Sequence, residues 1–121
     1  MFRITKVYGD SNGDNHFEDI EIPLEEAGSV GRLSNVIPAK GIIFREVDPS
    51  YDWNFLTAPQ KQYIVLLDAK IEIKTSLGVK KTFKAGEALL VEDMARKGHR
   101  TKNLPSIKRK SIFITLSLIH I

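Results

Sequence analysis

A chain of 121 residues, 42% hydrophobic and 27% charged, has the length of one ordinary domain and the composition of a globular one, which excludes a multidomain machine and a disordered tail. The absence of any cysteine excludes disulfides, thiolate metal sites, iron–sulfur clusters and cysteine nucleophiles together. No uncharged apolar run of about 18 residues occurs, and Met1–Lys6 lacks the apolar stretch of a signal peptide, so a cytoplasmic protein without membrane partners is expected.

Apolar and polar residues alternate from Phe2 through Ile4, then meet the turn formers Gly9 to Asn15, so a strand and a turn open the chain. Asp10, Asn12 and Asp14, with Glu21 eleven residues after Asp10, partly match a calcium loop. The glycine, Gly13, stands at the fourth place instead of the sixth and no helices flank it, so a plain turn is the reading. Phe17, Ile20 and Ile22 follow with acids between them, and an irregular arm rich in Pro, Gly and Ser runs to residue 40. From there strand signals are dense. Gly41–Val47 is closed by Asp48-Pro49-Ser50, and Tyr63–Leu67 is continuously apolar, which implies burial on both faces or a subunit contact. Lys70–Thr75 alternates cleanly and turns at Ser76-Leu77-Gly78 into Val79–Phe83 as a hairpin; Ala88–Glu92 and Ser111–Leu118 complete the set. Many short strands and no helical stripe of 12 residues predict an all-β barrel or sandwich.

Charge is unevenly spread. Ten of the fifteen acids lie between Asp10 and Asp52, whereas Arg96 to Lys110 holds seven Lys or Arg and no acid. This basic run reads as a solvated loop leading into a strand. The competing reading is an interaction module that uses the 96–110 segment to meet an anionic partner. Because the run carries no aromatic stacking residues and no groove-reading helix, nucleic acid is not the expected partner.

Two stretches resemble the motifs of the cupin superfamily of small β-barrels. Gln62-Tyr63-Ile64-Val65-Leu66-Leu67-Asp68-Ala69 is similar to the end of the first motif, with Gln62 at its Glu position and Ala69 at its Gly; Lys84-Ala85-Gly86-Glu87 leading to His99 and Asn103 is similar to the second. The resemblance covers roughly residues 41 to 118. It implies a single cupin domain over 1–121, a double-stranded β-helix or jelly-roll barrel at 41–118, and N-terminal strands and arm at 1–40 packed along the outside or donated to a partner. A homodimer is implied too, with the apolar 112–121 run as a second candidate surface.

The departures bear on chemistry. No histidine lies between Asp19 and Gly98, and Asp52-Trp53-Asn54 occupies the region of the family's His-x-His pair. The resemblance then brings Asn54, Gln62 and His99 together as one imidazole and two neutral amides, weak candidates for a metal. They offer no negative charge to offset a divalent cation, so no cofactor is expected beyond a loosely held metal. Gln60 shares strand parity with Gln62 and marks either the barrel mouth or an amide pair satisfying backbone groups. Trp53 is a rim aromatic or a flat wall against a ligand. Arg45 and Glu46 interrupt a buried-looking strand, so one of them faces inward or pairs at its end; an inward Arg45 favours a carboxylate or phosphate.

The leading expectation is a small-molecule-binding cupin with a degraded metal site, its pocket lined by Asn54, Gln60, Gln62, His99, Arg45 and Trp53. The alternative is an enzyme, an isomerase, lyase or oxygenase acting on a small polar metabolite, in which His99 moves a proton or holds a metal. His16 and His120 read as surface residues.

Overall fold

The computed structural model is almost entirely β-structure, as the sequence predicts. It describes residues 2–48, 52–56, 61–92, 99–104 and 108–116, with the backbone alone at 52–56, 99 and 103–104. The strands are β1 (Phe2–Gly9), β2 (Asn15–Ile22), β3 (Glu25–Glu26), β4 (Arg32–Leu33), β5 (Gly41–Val47), β6 (Asp52–Leu56), β7 (Gln62–Leu66), β8 (Lys70–Thr75), β9 (Lys80–Lys84), β10 (Ala88–Glu92), β11 (His99–Leu104) and β12 (Arg109–Thr115). No helix among the described residues is long and apolar enough to cross a membrane.

Two sheets make the body, one in the order β2-β1-β10-β7-β12-β5 and the other β6-β11-β8-β9. Taking β5 to β12 alone, the orders β10-β7-β12-β5 and β6-β11-β8-β9 are those of two interlocked Greek keys, a jelly roll. The N-terminal strands extend the first sheet within their own chain. β1 pairs parallel to β10, and β2 pairs antiparallel to β1 over its full length.

Strand alternation then decides what meets between the sheets. Ile71 and Ile73 of β8 and Phe83 of β9 pack against Val7, Leu66, Leu89 and Val91 of the opposite sheet, each 2% exposed or less. Phe17 of β2 adds an edge contact to Phe83, ring centroids 6.2 Å apart. At one end Asn15 and Ser76 tie the two sheets: Ser76 N donates to Asn15 Oδ1 at 2.6 Å, and Asn15 N donates to Ser76 Oγ at 3.1 Å. Along the open flank Lys81 Nζ of β9 donates to Thr5 Oγ1 of β1 and Asp19 Oδ1 of β2, both at 2.9 Å.

Two details differ from the sequence reading. Residues 99–104, read as loop, form β11. Their largely polar composition has low strand propensity, but β11 is hydrogen-bonded on both sides, to β8 and β6, and tertiary pairing overrides local preference. At the turns, Gly86 has φ 87° while Ala69 is held at φ 57°, a conformation costly for a residue with a Cβ.

Candidate ligand site in the barrel

β12 carries its side chains in an unusual sense. Ile114 lines a groove on the outside of the sheet, while Arg109, Ser111 and Thr115, on the alternate positions, are 2–3% exposed and face the opposite sheet. β7 adds Gln62, 5% exposed, opposite Thr115 on one side and Val91 on the other. The inner wall of the six-stranded sheet is therefore studded with polar side chains where an aliphatic wall is the ordinary solution. Gln62 Oε1 and Ser111 Oγ are buried without a hydrogen-bond partner among the described residues.

These groups fall at two ends. β7 runs from Gln62 to Leu66, and β8 returns from Lys70 to Thr75, so Gln62 and Thr75 share one end of the barrel. His99 stands opposite Thr75 in β11, and Leu56 of β6 stands on its other side. The backbone thus brings the positions of Gln62 and His99 to the same end. Thr75, 1% exposed, shuts this end of the β8–β9 hairpin by accepting from Val79 N at 3.2 Å. Asn54 lies where the β6–β11 register shifts, and Trp53 stands opposite Thr101. Gln60 lies outside the described residues.

Arg45 belongs to the other end. It stands opposite Ser111, four residues along β12 from Thr115, a separation of about 13 Å at 3.3 Å per residue. Its guanidinium lies 5.1 Å from the Phe113 ring centroid, on the inner face, and Arg109 is buried two residues before Ser111. Arg45 does turn inward, but it joins Arg109 and Ser111 instead of the amide and imidazole positions. Arg109, Ser111 and Thr115 had no place among the sequence candidates. Arg109 sits inside a charge run that reads as solvated, and the alternation Arg-x-Ser-x-Phe-x-Thr is the signal that finds them once the inward parity is known.

At the position that the resemblance gives to a carboxylate Gln62 presents a neutral, buried amide, and among the described residues no three His, Asp or Glu stand close enough to share an ion. The Asp10 turn is likewise no cation loop: Asp10 Oδ1 accepts from Asn12 N and Asp14 N, and His16 Nε2 lies 2.6 Å from Asp10 Oδ2. The hydrogen bond from His16 is the main cause holding the Asp10 carboxyl below its usual range. The described side chains of the basic 96–110 run do not share one surface. Arg100 and Lys102 line the outside of β11, Lys108 pairs with Glu46 at 3.3 Å, and Arg109 is buried.

No protein-family model and no curated protein matches the chain. Among solved structures it is similar to protein NMB1881 of Neisseria meningitidis, at 20% identity over 67% of this chain and 79% of that one, with a TM-score of 0.49. It is similar to a DUF861 family protein of Thermotoga maritima, at 21% identity over 79% and 100%, with a TM-score of 0.41. A third likeness is to a Salmonella typhimurium protein described as ethanolamine utilization protein Q, at 11% identity over 96% of both chains, with a TM-score of 0.44. The order of the strands is sufficient by itself for the fold: the chain forms a jelly roll.

Proposed function

We propose that this protein binds a small polar molecule inside the barrel, without a tightly held metal. The observation that carries the reading is Gln62, buried opposite Thr115 on the inner face, whose Oε1 has no hydrogen-bond partner among the described residues. A buried polar atom left unmade costs about 1–3 kcal/mol, and replacing it by an apolar group of similar shape is near neutral or stabilising. A fold that keeps such groups in its interior gains from them when a ligand supplies the missing donors and acceptors. On this reading Gln62 Oε1 accepts from the ligand, and position 99, at the same end, offers a titratable ring for a second contact.

The test is release of bound material. Protein purified without chelator, washed and denatured, is expected to yield one polar metabolite at close to one per chain by mass spectrometry, while Gln62→Leu yields little of it. Gln62→Leu should also melt at or above the wild-type temperature when both are stripped. Retention of nothing by the wild type, together with no shift in melting against hydroxy acids, amino acids and sugars, would remove the proposal.

A further inference from the structure

We propose that β5 pairs antiparallel with the β5 of a second copy of this chain, joining two six-stranded sheets into one. β5 ends the order β2-β1-β10-β7-β12-β5, and among the described residues it pairs with β12 alone, so its far side presents backbone N–H and C=O groups for a further strand. It keeps an unbroken register with β12 from Gly41 to Val47 and contains no proline. Its first four residues are exposed and uncharged: Phe44 is 75% exposed, Ile42 57% and Ile43 37%.

Two other edges are defended. β2, at the opposite edge of the same sheet, carries Glu18, Asp19 and Glu21, and β9, at an edge of the four-stranded sheet, carries Lys80, Lys81 and Lys84. Charges along an edge keep another chain from adding to it, because the added strand would have to bury them. The apolar half of β5 has no such guard, and an exposed apolar edge of this length is a template for pairing.

The occupant follows from the strand's own sequence. Ile42 stands opposite Ile114, which lines the outer groove, so Ile42, Phe44 and Glu46 share the outer side while Ile43 and Arg45 share the inner one. A two-fold axis through Ile43 sets Ile43 against Ile43 of the second copy and Ile42 against Phe44 twice. Gly41, without a side chain, then meets Arg45. Lys40, the residue before the strand, falls opposite Glu46 on both flanks; it still runs beside β12, its N–H donating to Thr115 O at 2.7 Å. Glu46 already meets Lys108 of its own chain at 3.3 Å, and a carboxylate accepts from two cations.

This register closes four apolar side chains between two pairs of opposite charge. An axis through Phe44 would instead set Ile42 against Glu46 and Ile43 against Arg45, mixing apolar with charged neighbours. An unrelated extended peptide has no reason to match the strand in this way, whereas a second copy does so by symmetry. Assembly stops at two, because the outer edges of the joined sheet are the acid-bearing β2 strands. The inference does not depend on the interior ligand.

Sedimentation velocity of the full chain tests it. An interface built on one strand is small, so the wild type should be mostly dimer at about 100 μM and mostly monomer at about 1 μM. Phe44→Lys should weaken the dimer at least tenfold with an unchanged circular dichroism spectrum, since this side chain is exposed in the single chain. Lys40→Glu and Glu46→Lys should each weaken it several-fold and together restore it, because the swap rebuilds both pairs. The chain has no cysteine, so Ile43→Cys should give a covalent dimer on mild oxidation, and Ile20→Cys on β2 should not. A monomer throughout, including one that takes up an extended apolar peptide along β5, would overturn the proposal. So would a dimer indifferent to Phe44→Lys, no rescue by the charge swap, cross-linking at position 20 in place of 43, or an assembly larger than two.

Discussion

On the outside of the six-stranded sheet, Ile4, Ile22, Tyr63, Val65 and Ile114 form an apolar groove of about 250 Å³, and Phe44 and Ile42 stand 75% and 57% exposed on the edge strand. On the outside of the four-stranded sheet, the same kind of strand turns Arg100, Lys74 and Lys80 to solvent in one row. The inner faces of both sheets share one hydrophobic cluster, so core packing does not set this difference. Each outer face instead has its own thermodynamic character. The apolar one contributes to folding wherever its residues are already covered, and the basic one contributes almost nothing to it.

Paired truncations sharpen that contrast. Ile4 is 4% exposed although it lies on the outer side of its sheet, so Ile4→Ala should cost about 2–5 kcal/mol in urea unfolding. Lys74→Ala, at the centre of the basic face, should stay within about 0.5 kcal/mol of the wild type, or gain slightly by relieving its cationic neighbours. Equal losses at the two positions would show that the faces are energetically alike and that the comparison has no content.

The same two faces mark where the sequence could be read. Clean alternation in 70–75 and the turn at Ser76-Leu77-Gly78 placed the β8–β9 hairpin. Parity within a strand, however, does not say which side is inward; register with its neighbours does. Ile112 and Ile114 have the pattern of a core stripe, yet Ile114 faces the outer groove, and the polar alternates Arg109, Ser111 and Thr115 are the buried ones. The distance of Arg45 from Gln62 was not legible, because it is set by the pairing of Arg45 with Ser111. The basic face was hidden for a similar reason: a run along the chain, 96–110, drew the eye from lysines that only the β8–β9–β11 register brings beside Arg100.

A smaller effect is expected at the turn between the sheets. Ala69 links β7 of the apolar-faced sheet to β8 of the basic-faced one and holds φ 57°, with its carbonyl accepting from Ala85 N at 3.1 Å. Relief of left-handed strain outweighs the added freedom of glycine in the unfolded chain, so Ala69→Gly should raise stability by about 0.5–1 kcal/mol. Ala69→Val should do the reverse, since a β-branched residue tolerates this conformation least. A loss of stability with glycine would mean that the crossing between sheets is not strained.

The faintest expected effect concerns how the two sheets hold together along their open flank. Asp19 of β2 is kept below its ordinary carboxyl value of 3.8, first by the hydrogen bond from Lys81 of β9, then by the Lys81 charge and by Thr5. A depressed folded value means that the link stabilises the fold above the unfolded value of 3.8 and is lost as pH falls through the folded one. Asp19→Asn should therefore unfold at lower urea than the wild type at pH 7 and pH 5, with the gap closing between pH 4 and pH 2. Because Asp19 is exposed, the gap should also shrink in 1 M salt. Asp10→Asn, whose lowered carboxyl serves only its own hairpin, is expected to leave the crossing untouched, so adding Lys81→Met to it should produce additive losses, while Lys81→Met added to Asp19→Asn should not. Additive losses in both pairs would show that the Lys81 bridge does not couple the two sheets.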